Sequence, residues 1–77
     1  MNPYRAEKIR VRISAIEDEM EGLEETCDRL QAELATAGSN NVLRRRVLNE
    51  LEASQQQMQR HEDEWTELSE QLAAEAS

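Results

Sequence analysis

One histidine, one cysteine, two acidic runs and three consecutive arginines hold nearly everything this chain of 77 residues could offer to chemistry. A Cys27–His61 pair would be a thiol nucleophile with its general base. The runs Glu17-Asp18-Glu19 and Glu62-Asp63-Glu64 supply neighbouring carboxylates, the raw material of acid–base catalysis. Those carboxylates have no apolar shielding to raise a pKa and no cleft to hold a substrate, so they read as solvated helix faces. His61 with Glu62 or Glu64 lacks the further ligands that a zinc site needs. No glycine-rich phosphate loop, cysteine pair, HExxH or nucleophile-elbow pattern is present. No catalytic residue, cofactor site or small-molecule substrate follows from these residue types, and the chain reads as a non-enzyme.

The elements that position these groups are legible from the apolar spacing. Ala6, Ile9, Ile13, Ile16, Met20, Leu23, Cys27, Leu30, Leu34 and Ala37 recur at alternating steps of three and four. That is a heptad seam with no polar member, and it predicts one long helix over about 3–37. Asn2 is placed to cap it, with Pro3 at the first helical position, where a missing N–H costs nothing. Gly38 suits the left-handed conformation that ends a helix, and Ser39, Asn40 and Asn41 favour a turn over 38–41. A second helix over about 42–75 restarts the seam with Val47, Leu51, Met58, Trp65, Leu68 and Leu72, interrupted by Ser54 and His61. A competing register through Leu48, Gln55, Glu62 and Ser69 turns more polar groups inward. In the preferred register His61 lies near Met20, far along the rod from Cys27, and acts as a polar residue that sets register.

Charge decides how the two helices meet. Residues 1–12 carry a net +3, residues 13–43 carry −7, residues 44–60 carry +2 and residues 61–77 carry −6. Folding back at Gly38–Asn41 sets +3 beside −6 and −7 beside +2, whereas a parallel pairing sets like beside like. Each exposed pair contributes only tenths of a kcal/mol, but flanking charges select orientation together. The fold class read from the sequence is therefore all-α: one antiparallel two-helix coiled-coil hairpin spanning residues 1–77. Two helices bury one stripe each, so a second layer is expected, either another copy making a four-helix bundle or a larger protein. Tyr4, Val11, Leu43 and Leu48, lying off the seam, are candidate partner contacts.

Arg44-Arg45-Arg46 opens the second helix, where three cations oppose the macrodipole. Either acids of the facing helix, notably Asp28 and Glu33, pair with them, or they contact nucleic acid or an acidic partner. The overall charge of −8 disfavours generic attraction to nucleic acid or anionic membrane. It is also compatible with a small acidic inhibitor that mimics nucleic acid. No apolar run approaches the roughly 20 residues that span a bilayer. The N-terminus lacks the apolar stretch of a signal peptide, and a single cysteine fits a reducing compartment, so the expected location is cytoplasmic.

The second helix resembles the C-terminal coiled-coil domain of the ABC-F family of ATPases, which act in translation on the ribosome. The residues that carry the likeness are Val47, Leu48, Leu51, Ala53 and Met58, an acidic, Gln-rich stretch, and then Trp65 and Leu68. The preceding run IEDEMEGLEETCDRLQAELATA is similar to that domain's first helix, so the resemblance covers nearly the whole chain. The family's inter-helix connection is usually longer and carries aromatics, whereas this turn is short and has none. The resemblance implies an accessory module that contacts the ribosome or nucleic acid. The residues alone point first to a coiled-coil hairpin that binds a protein partner or itself.

Overall fold

The computed structural model describes residues 2–76, with side chains through residue 75; residues 1 and 77, the ends of the expected unit, lie outside that range. Two helices make up the fold, α1 (Pro3–Thr36) and α2 (Asn41–Ala76), and they pack against each other as an antiparallel hairpin. The molecule is a rod of 57 × 15 × 15 Å.

Local chemistry explains both helix starts and the reversal. Asn2 holds an extended backbone, and its side chain accepts the Arg5 N–H at 2.8 Å, satisfying a donor that the first turn leaves without a partner. At the other end the Ala37 N–H donates to the Leu34 carbonyl, and Gly38 takes φ +59°. A side chain at that φ costs about 1–2 kcal/mol. Asn40 then donates its own N–H to the Ala37 carbonyl, closing the turn, while its side-chain oxygen accepts the Leu43 N–H at 3.1 Å. One asparagine thus ends the reversal and caps α2.

Along α1 every seam position is buried or half-buried, with Ile9, Ile16, Leu30 and Ala37 the most enclosed. Within α2, Val47, Ser54, His61 and Leu68 take position d of the heptad, and Leu51, Met58, Trp65 and Leu72 take position a. Leu48, Gln55 and Glu62 of the competing register are exposed. Near the turn Leu30, Val47 and Leu51 form a cluster joined by Cys27, Leu34 and Leu43. Farther along the rod Ile16 is fully buried as well and Ile9 nearly so, while Ser54 and His61, which interrupt the stripe of α2, are half-buried. Apolar burial toward both ends of the rod therefore holds the hairpin.

Candidate interaction surface

The two flanks of the seam differ in chemistry. On a helical wheel, positions d, g and c lie to one side of the seam and a, e and b to the other. The d–g–c flank is tied by ion pairs. Arg12, at g of α1, donates from Nε and Nη2 to the two carboxylate oxygens of Glu64, at g of α2, at 2.8 and 2.9 Å. A second α1 residue at g, Glu19, approaches Arg12 at 3.8 Å and His61 Nε2 at 3.2 Å. The hydrogen bonds from Arg12, and then its charge, hold the Glu64 carboxyl below its ordinary range, while the Arg12 guanidinium is pushed up. Both side chains remain about two-fifths exposed, so water screens the pair.

The a–e–b flank carries a shallow groove of about 340 Å³ midway along the rod, lined by Glu17, Met20, Glu21, Glu24, Glu62 and Trp65. Trp65, read as a seam residue, sits at the seam's edge with 38% of its surface exposed. An indole is larger than the gap between two helices that present mainly aliphatic side chains, and Trp65 lines the groove together with Met20. Glutamates of both helices wall it.

The arginine run divides between the flanks. Arg46, at c, pairs with Glu50 of its own helix at 3.5 Å. Arg44 and Arg45 are exposed and, among the described residues, form no ion pair. Asp28 and Glu33, the facing acids that could have held them, pair with none of the three. For Arg45 and Arg46 the reason is angular, because positions b and c turn them away from α1.

The other singled-out residues fall as follows. Leu43 is half-buried and packs against the turn cluster. Tyr4, Val11 and Leu48 are exposed, and Lys8 Nζ stands 4.9 Å over the Tyr4 ring. Cys27 packs at the turn end while His61 contacts Glu19 toward the middle, so no thiol–imidazole pair forms. No three His, Cys, Asp or Glu side chains converge to hold a metal among the described residues, and no helix there is long and apolar enough to cross a membrane. Sequence reasoning did not single out Arg12 or Val42, the latter 83% exposed in the first turn of α2. The signal for Arg12 was its g position opposite an acidic segment; nothing in the pattern marked Val42.

A long hairpin with ion pairs across one flank and a groove on the other defines a helical arm. The sequence profile of the ABC transporter C-terminal domain matches residues 6–70, and the chain belongs to that family. Such a domain is an accessory module, distinct from the ATPase domain. No curated protein and no solved structure matches the chain.

Proposed function

We propose that this hairpin is a non-catalytic interaction arm, a coiled-coil element of an ABC-F-related protein that works by binding a protein partner or a second copy of itself. The observation that carries the reading is where the reactive groups go. Glu64 and Glu19 engage Arg12 and His61, Glu50 pairs with Arg46, Glu7 pairs with Arg10, and Cys27 packs against aliphatic side chains. Cys27 and His61 lie apart, and one flank keeps a groove lined by Trp65 and Met20. A half-buried single thiol suits a reducing, cytoplasmic setting.

Sedimentation equilibrium of the 77-residue chain tests the self-assembly arm of this reading. The expected result is a mass that rises with concentration; a strict monomer that unfolds cooperatively leaves only a different protein as partner. Catalysis is tested separately. Any turnover abolished by His61→Ala or Glu64→Gln in a folded variant overturns the non-catalytic reading.

A second reading rests on Arg44 and Arg45, which stand exposed near the tip without acid partners. They support contact between the arm and the ribosome or nucleic acid. Gel shift with RNA across a salt series tests it, because each phosphate neutralised on a single strand contributes about −0.7 to the slope of log affinity against log salt. Steep weakening that disappears when Arg44, Arg45 and Arg46 become Gln favours this reading. Binding untouched by those changes removes it.

A further inference from the structure

We infer that the a–e–b flank is self-complementary and closes a two-fold dimer in which Arg44, Arg45 and Leu48 of each copy seat on the Trp65 groove of the other. This rests on the interaction-arm reading and deepens it by naming the occupant.

Three observations carry it. First, the hairpin exposes more surface than its mass warrants. A folded monomer of 8.9 kDa shows about 4,800 Å² by the usual scaling, and this chain shows 5689 Å². The excess is close to the roughly 800 Å² that each partner contributes to a standard interface.

Second, both halves of a charge-complementary contact lie on the same flank. Arg44 at a, Arg45 at b and Leu48 at e bring two cations without acid partners and a half-exposed apolar side chain. The groove brings four glutamates around Trp65 and Met20. An arginine entering it meets carboxylates on both walls and an indole face, which attracts a guanidinium. Arg46, on the other flank, is already held by Glu50.

Third, the axial spacing permits closure. Leu48 and Trp65 stand about 25 Å apart along α2 at 1.5 Å per residue. When two α2 helices lie antiparallel about a dyad at Gln55, Arg45 faces Trp65 of the second copy and Leu48 faces Glu62. The same contacts then form twice, as an isologous interface requires. Gln55 is exposed, and its amide meets its own copy at the dyad, where a side chain that both donates and accepts is self-satisfying.

Reciprocal charge reversal tests the geometry. One variant carries Arg44→Glu and Arg45→Glu; the other carries Glu21→Arg and Glu62→Arg. Circular dichroism first establishes that each keeps the helix content of the parent. In sedimentation equilibrium each alone is expected to self-associate at least about tenfold more weakly than the parent, since each now meets like charge across the interface. An equimolar mixture restores the dimer, because acidic tip meets basic groove and basic tip meets acidic groove. A Gln55→Cys, Cys27→Ser chain is expected to form a disulfide-linked dimer readily, since a residue on the dyad meets itself. The inference is overturned if both reversed variants dimerise like the parent, if mixing restores nothing, or if the parent stays monomeric. A monomeric parent still leaves the arm free to bind a different protein, so the two failures are separable.

Discussion

Arg12 on α1 and Glu64 on α2 meet in a fork, two parallel hydrogen bonds of 2.8 and 2.9 Å between residues 52 positions apart in the chain. The fork joins the basic start of one helix to the acidic end of the other. It is the local form of the charge complementarity that favours an antiparallel pairing. Planar geometry makes the contact specific to arginine, because an ammonium cannot supply two coplanar donors.

Arg12→Gln or Glu64→Gln should lower Tm by a few degrees, and the double variant should lose less than the two single losses together. Arg12→Lys should recover only part of the loss. Acid titration gives the sign independently. The Glu64 carboxyl is depressed in the folded chain relative to an ordinary 4.5, so the fork's contribution is fully present above that pH and disappears as pH falls through the lower folded value. Thermal melts from pH 6 to pH 3 should show a steeper fall for the parent than for Glu64→Gln. Parallel curves would show that the fork adds no stability.

The two glycines should respond oppositely to alanine. A methyl at Gly22 would meet nothing within 4 Å on an exposed helical surface, and Gly22→Ala should stabilise by about 1 kcal/mol. Gly38 has the same open space but a φ of +59°, so Gly38→Ala should destabilise by about 1 kcal/mol or more. Urea unfolding of both variants measures the difference.

Core truncations should grade with depth. Leu30 is 2% exposed within the cluster at the turn, and Leu30→Ala should cost about 3 kcal/mol, enough to unfold much of a domain this small. Val11→Ala, on an exposed position, should stay within about 0.5 kcal/mol. Equal effects would mean that the seam is not where the hairpin draws its stability.

Ser54 and His61 are half-buried on the apolar stripe of α2. Replacing Ser54 by Leu should stabilise by about 1 kcal/mol through added apolar burial. His61→Leu should also raise Tm, at the expense of the Glu19 contact, and should loosen register, since a polar seam residue discriminates between alignments. Broadened methyl resonances around Met20 and Met58 in His61→Leu, with sharp ones in the parent, would report that slippage.

Much of this architecture is legible in residue types alone. Strict three–four spacing from Ala6 to Ala37 can hardly be satisfied by anything except a helix with one apolar edge, and Gly38 with Asn40 marks the reversal. The flanks were harder to read. Whether Arg44 to Arg46 pair with Asp28 and Glu33 depends on angles around α2, and those follow only once Val47 is fixed at d. Trp65 fits the heptad, yet its volume displaces it to the edge, an effect of side-chain size that a periodicity argument ignores. Leu43 falls off the seam by spacing and still packs at the turn, against the cluster of Leu30, Val47 and Leu51.

The doubling back of the chain, on which both flanks and every surface argument depend, can be measured as a single distance. Spin labels at Lys8→Cys and Glu70→Cys in a Cys27→Ser background, diluted with unlabelled chain, report it within one molecule. Helix axes about 10 Å apart with two label arms give a separation below about 25 Å. A continuous helix would hold the labels about 90 Å apart at 1.5 Å per residue, and that result would contradict the account.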